Sequence, residues 1–183
     1  VRAIANSMTG ADDLFWYVPA ASPIKSIKDA AGKTIAYSTT GSSTNLAVLA
    51  FMREFNVQAK PVATGSPAST FTQTMTGQAD IGWSSPPFGI ADLQQGKIRI
   101  VARESDVPAF RNQTVRLMIA NVQTVEQRRD VVDRYLQAYR ETLDWMYSDP
   151  AAIKAYAEWV GISEALAKDV RDQFYPKENL RLD

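Results

Sequence analysis

The sequence predicts an α/β fold in which a parallel or mostly parallel sheet is covered by helices on both faces. Short β-like runs alternate with helical segments over the first two-thirds of the 183 residues, and a cap or breaker stands at each junction. Composition agrees: with 45% hydrophobic residues and no cysteine, a chain this long can bury roughly 70% of its unfolded surface. One or two cores then form without disulfides or metals.

The elements follow in order. Residues 14–18 are a wholly apolar strand ended by Pro19. Ser26-Ile27-Lys28-Asp29 has capping-box spacing, with Asp in place of Glu or Gln, and opens a short helix that Gly32 can terminate. Residues 34–38 form a strand. After the turn Thr39-Thr40-Gly41, Leu46, Leu49, Ala50 and Phe51 recur at helical spacing, which predicts a helix over 43–56. A weak strand over 59–63 leads to Ser66 as N-cap and Pro67 at the first helical position, opening a helix with Phe71 and Met75 on one face. Gly77 stops it. Residues 79–83 are a strand, Pro86-Pro87 can open a helix holding Phe88, Ile90 and Leu93, Gly96 closes it, and residues 98–102 are a strand again.

The pattern then changes. A polar stretch over 105–113 leads to one more strand, 115–120, and all that follows reads as helix. Thr124-Val125-Glu126-Gln127 is a capping box for a long helix in which Val125, Val132, Leu136, Tyr139, Leu143 and Met146 make one amphipathic stripe, expected as core. Asp149-Pro150 launches a helix with Tyr156, Trp159 and Val160 that Gly161 ends. Ser163 starts another, with Leu166, Val170 and Phe174 inward. There is no repeat, low-complexity tract or glycine-serine linker.

Two absences exclude whole classes of chemistry. Without His or Cys there is no imidazole base, no thiolate and only a poor ligand set for a transition metal, so serine triads, thiol proteases and zinc enzymes are out. No cofactor or metal is expected. Twenty Lys plus Arg balance twenty Asp plus Glu, which removes the basic surplus that nucleic-acid binding requires. No run approaches the ~18 consecutive apolar residues that span a bilayer. The opening Val1-Arg2-Ala3-Ile4-Ala5-Asn6 reads as the interior of an element. A processed or truncated chain is therefore expected, with any export signal outside it.

The most informative segment is the strand-to-helix junction from Tyr37 to Asn45. Gly41 allows a tight turn, and Ser42, Ser43 and Thr44 stand where free main-chain N–H groups point outward. Such a terminus is an anion site, adding about half a positive charge to the hydroxyl donors of Ser42, Ser43 and Thr44, and suits an oxyanion or other acceptor-rich head group. The alternative is a plain cap by Ser42 or Ser43. It is not a nucleotide phosphate loop, since the second glycine and its lysine are missing. Trp83-Ser84-Ser85-Pro86 holds the equivalent place after a later strand, where open α/β sheets put their ligands. Trp83 would wall a small organic group or be simple core. Thr64-Gly65-Ser66-Pro67 is a third such turn. Asp12, Asp13, Asp130 and Asp133 look solvated and Asp80 lies close to a strand, so no acid/base pair emerges.

Together these pieces resemble the solute-binding proteins of ABC importers for sulfonates, nitrate, taurine and thiamine-pyrimidine precursors. The resembling residues are 22–36, Gly41-Ser42-Ser43 before a helix, Thr76-Gly77-Gln78-Ala79-Asp80-Ile81 with Pro86-Pro87 after it, and Asp149-Pro150-Ala151-Ala152. The resemblance implies a periplasmic-binding-protein-like (type II) two-lobed clamshell that lacks the N-terminal part of its first lobe. Its expected division is 1–18 in the first lobe and crossover, 19–114 in the second lobe, and 115–183 returning to the first. It also implies an exported, periplasmic, monomeric, non-enzymatic protein whose partners are a small molecule and a membrane permease. The expected ligand residues are Gly41, Ser42, Ser43, Thr44, Trp83, Ser84 and Pro86. Two relatives in fold are weighed beside it: a sensor domain of a regulatory protein, and a thiamine-pyrimidine synthase, whose His and cysteine-rich motif have no counterpart here.

Overall fold

The computed structural model describes residues 1–180 and 182. The strands are β1 (Arg2–Thr9), β2 (Phe15–Pro19), β3 (Thr34–Tyr37), β4 (Lys60–Ala63), β5 (Gly82–Ser84), β6 (Ile98–Arg103) and β7 (Thr114–Ala120). The helices are α1 (Ser43–Glu54), α2 (Pro67–Met75), α3 (Ile90–Gln94), α4 (Val122–Gln127), α5 (Arg129–Ser148), α6 (Pro150–Val160) and α7 (Glu164–Phe174). The chain divides into two compact units, residues 11–111, and residues 1–10 with the chain from Asn112 on.

In the larger unit β3 and β4 pair in parallel, from Thr34 opposite Lys60 to Tyr37 opposite Ala63. Ile35 bridges Ile81 in parallel just ahead of β5. β2, however, runs antiparallel to both β5 and β6, so the sheet is mixed rather than mostly parallel. The reason lies in the connections. Parallel neighbours need a crossover, usually helical, and β2 precedes the first helix of the unit and enters in the opposite sense.

Both faces are covered, as a strand with Phe15, Trp16, Tyr17 and Val18 all buried requires. On one face Trp16 meets Phe51 of α1 edge-on at 4.8 Å between ring centroids and donates its indole N–H to the Ala36 carbonyl at 2.9 Å. On the other, Tyr17 packs on Phe71 of α2, which meets Phe88 edge-on. Burial pushes the Tyr17 hydroxyl up to about 12, so it stays protonated in any physiological medium.

Several local expectations are corrected. α1 turns Thr44, Asn45, Ala47, Val48 and Phe51 inward and leaves Leu46 and Leu49 exposed, because the two polar residues hydrogen-bond the preceding turn. In α2 the buried residues are Thr70 and Thr74, while Met75 is exposed. Ser26 and Asp29 form the capping box, but over a single 3₁₀ turn, Ile27–Asp29. Pro86-Pro87 does not open α3: the chain turns through Ser85 to Phe88, whose N–H donates to the Ser85 carbonyl, and the helix starts after Gly89.

At the opening end of β3, Asp80 accepts hydrogen bonds from the Thr34 N–H at 2.8 Å and the Thr34 hydroxyl at 2.9 Å, while its own N–H donates to that hydroxyl oxygen. Burial works against its ionisation, but the Thr34 bonds and Lys33 outweigh it and hold the carboxyl below its usual range. A lowered pKa stabilises the fold above the unfolded value of about 3.9, a contribution lost as pH falls through the folded one. Acid titration of the melting temperature is therefore expected to fall less steeply below about pH 4 in Asp80→Asn than in the parent; parallel curves would contradict this.

In the smaller unit β1 and β7 form an antiparallel pair with three register shifts, and the Ser7 hydroxyl donates to the Arg116 carbonyl. The long helix expected from Thr124 is two helices: Asn121 caps α4, and Arg128 leaves the helical range before α5. No residue of α5 is fully buried, so its stripe is half-covered rather than core. Asp149 and Ser163 cap α6 and α7 as their positions predict, and Gly161 ends α6 at φ 77°. Ile153, Ala157 and Ala167 form the contact between these two helices.

Candidate functional site

The junctions after β3, β4 and β5 all leave from one edge of the sheet, because these strands run the same way. They are tied directly: Thr64 N–H donates to the Tyr37 carbonyl at 2.9 Å and Gly65 N–H to the Ser38 carbonyl at 3.1 Å. Open α/β sheets bind ligands at this carboxyl edge.

The β3–α1 turn is built from its own polar groups. Gly41 takes φ 81°, a left-handed conformation that glycine adopts without strain, and its N–H donates to the Asn45 side-chain oxygen at 3.0 Å. Ser42 is the N-cap, accepting from Asn45 N–H at 3.2 Å. Thr44 accepts from Ser38 N–H at 2.9 Å. The hydroxyls of Ser38, Ser42 and Thr44 then close a triangle with 2.9 Å sides. If each donates to the next, all three protons are used within the ring.

The Ser42 and Thr44 hydroxyls are thus engaged in holding the turn. At the first two positions of α1 the main-chain N–H groups of Ser43 and Thr44 make no hydrogen bond within the protein, and Ser43 itself is exposed. These are the orphan donors of a helix start. No acidic residue stands in the first turn of this twelve-residue helix, so its positive end is not cancelled locally. Ser38 and Asn45 were not singled out from sequence; the signal for them is a pair of polar residues, Thr44 and Asn45, buried in a first helical turn.

Trp83 lies opposite Trp16 across the antiparallel β2–β5 pair, and cross-strand partners share a face. It is therefore on the α1 face, at the edge where α1 begins. Its side chain is 6% exposed and its indole nitrogen is enclosed with no partner, a situation that costs about 1–3 kcal/mol when nothing satisfies the group. Ser84 is buried and donates its hydroxyl proton to the Phe88 carbonyl at 3.0 Å, and Pro86 is buried. These two shape the turn. Asp13 and Glu104 are buried carboxylates flanking β2 and β6, two and three strands from β3, on the order of 10–14 Å away by strand spacing.

No metal-binding cluster of His, Cys, Asp or Glu occurs among the described residues. No helix among them is long and apolar enough to cross a membrane. In the smaller unit a cavity of about 400 Å³ is lined by Tyr147, Asp149, Glu164, Lys168 and Arg171, among others. Its cations are taken, Arg171 by Asp172 and the Met146 carbonyl, and Lys168 by Asp172.

The family model described as NMT1/THI5 like matches residues 3–153. Among solved structures, the periplasmic aliphatic sulphonate binding protein SsuA from Escherichia coli is 21% identical with a TM-score of 0.81, over 95% of this chain and 59% of that one. The alkanesulfonate-binding protein SsuA from Xanthomonas axonopodis pv. citri, bound to MOPS, is 18% identical with a TM-score of 0.79, over 95% and 60%. A ligand binding component of an ABC-type import system from Staphylococcus aureus is 10% identical with a TM-score of 0.68, over 93% and 60%. The chain thus spans about 60% of the length of these proteins. No curated protein matches the sequence. With a family match over most of its length and this shared architecture, the chain belongs to the NMT1/THI5-like family and has the fold of the periplasmic binding proteins.

Proposed function

We propose that the protein is an exported, non-enzymatic solute-binding component of an ABC importer, and that it binds a small organic anion, with sulfonates as the first class to test. The observation that carries this reading is the uncommitted amide pair of Ser43 and Thr44 at the start of α1, beside a turn held by the hydroxyls of Ser38, Ser42 and Thr44. Two N–H groups fixed on a helix terminus need no reorganisation to receive an oxyanion. Gly41, Ser42 and the Thr44 side chain set the turn, the Ser43 and Thr44 amides grip the head group, and Trp83, Ser84 and Pro86 bound the remainder. The fold, and the sulfonate-binding function stated for the two SsuA proteins, support the choice of ligand class. The lack of His and Cys supports a binding rather than a catalytic role.

Ligand-dependent melting tests it. A bound solute stabilises the folded state by about 2.7 kcal/mol at a hundredfold excess over Kd, a rise of several degrees. Ethanesulfonate, taurine, MOPS, nitrate and short carboxylates form the panel, and at least one anion is expected to raise the melting temperature with saturable dependence. A flat response across the panel would defeat the reading.

A further inference from the structure

We propose that the indole N–H of Trp83 is a third hydrogen-bond donor to the ligand, and that it makes the site select head groups with three oxygens in a tetrahedral arrangement over carboxylates. This rests on the reading of the α1 terminus as the anion site, and adds to it the residue that discriminates among anions.

Two tryptophans, Trp16 and Trp83, face each other across adjacent strands. Trp16 has its N–H satisfied internally, by the Ala36 carbonyl at 2.9 Å. Trp83, in register with it on the same face, is also buried, yet its nitrogen meets no acceptor. A buried N–H without a partner is uncommon in native proteins and calls for an explanation. Apolar packing does not provide one, since phenylalanine would occupy such a wall without the penalty. An acceptor from outside the chain does.

Position agrees with this. Two residues past the Ile35–Ile81 bridge, β3 and β5 reach Tyr37 and Trp83; the α1 turn opens directly after the first, and α1 covers the face that carries the second. A carboxylate has two oxygens, which the Ser43 and Thr44 amides take up. A sulfonate has a third, and the Trp83 N–H is the donor left for it. Asp13 and Glu104 precede β2 and follow β6, two and three strands from β3, whose end leads into the amide pair.

The test compares ethanesulfonate with propionate by calorimetric titration of the wild-type chain and of Trp83→Phe, which keeps a ring and deletes the N–H. The expected result is a loss of about tenfold or more for ethanesulfonate, less than about twofold for propionate, and an unliganded melting temperature unchanged or raised. Equal losses for both anions, or an unchanged sulfonate affinity, would overturn the selectivity role. A lowered melting temperature with both affinities intact would assign the N–H to an internal water instead. Should the variant not fold, the wild-type indole resonance decides: ethanesulfonate is expected to move the Trp83 Nε1 proton downfield, and a signal unmoved at saturation would overturn the proposal. Wild-type chain that binds neither probe would instead remove the anion-site reading itself.

Discussion

Ser43→Pro is expected to weaken solute binding by roughly ten- to a hundredfold, the equivalent of one hydrogen bond to a charged group at about 1.5–3 kcal/mol, while leaving the melting temperature of the free protein unchanged. The substitution is selective because of where Ser43 stands. It is the first residue of α1, where proline is favoured and its missing N–H breaks no helical bond. The preceding Ser42 is extended at φ −75°, ψ 168°, the conformation a residue before proline prefers. Ser43 is exposed, so the ring meets no packed neighbour. What disappears is one main-chain donor. Ser43→Ala is the control: it removes the hydroxyl and keeps the amide, and is expected to change affinity by less than about twofold if the amide is the grip. A proline variant that binds as tightly as the parent, by calorimetric titration, would return this turn to a purely structural role.

Gly82→Ala is expected to be among the most destabilising single-methyl changes the larger unit can suffer, about 3 kcal/mol or more, at the upper end of overpacking costs. Gly82 lies directly opposite Tyr17 in the β2–β5 pair, and the tyrosine ring occupies the space a side chain would fill. A Cβ there would stand 2.5 Å from the Thr74 hydroxyl oxygen, 2.6 Å from Tyr17 Cζ and 2.8 Å from its hydroxyl oxygen. Neither neighbour has room to yield: Tyr17 is fully enclosed, and Thr74 is buried with its hydroxyl bonded to the Thr70 carbonyl. Urea denaturation reads the effect as a drop in midpoint at constant slope. In a Tyr17→Leu background the same change should cost markedly less, since the two residues share one volume. A loss below about 0.5 kcal/mol in the parent background would show that the ring does not fill this notch.

What local chemistry specifies could be read directly from the residues. Ser26, Ser66, Asp149 and Ser163 each cap a turn or helix, and Gly161 ends one, because a cap depends on a few adjacent groups. Direction was hidden. A strand such as Phe15-Trp16-Tyr17-Val18 has the same pattern whichever way it runs, and only its partners make it antiparallel. The break at Arg128 was also hidden, since neither glycine nor proline marks it and the apolar spacing from Val125 to Val132 continues across it.

The site shows the same division. Gly41 followed by hydroxyl residues identified a helix start with donors to spare, but not which donors. Placing Thr44 and Asn45 inward, where apolar periodicity would have put Leu46 and Leu49, is what lets their side chains bind Ser38 and Gly41. Once those bonds are made, the amides of Ser43 and Thr44 are left over. The enclosed nitrogen of Trp83 had no sequence signature, because a satisfied and an unsatisfied indole are the same letter.

The most direct check on the account is a crystal structure of the protein with ethanesulfonate. The expected result places head-group oxygens within about 2.7–3.2 Å of the main-chain nitrogens of both Ser43 and Thr44. An anion bound elsewhere, with these two amides facing only solvent or protein atoms, would contradict it.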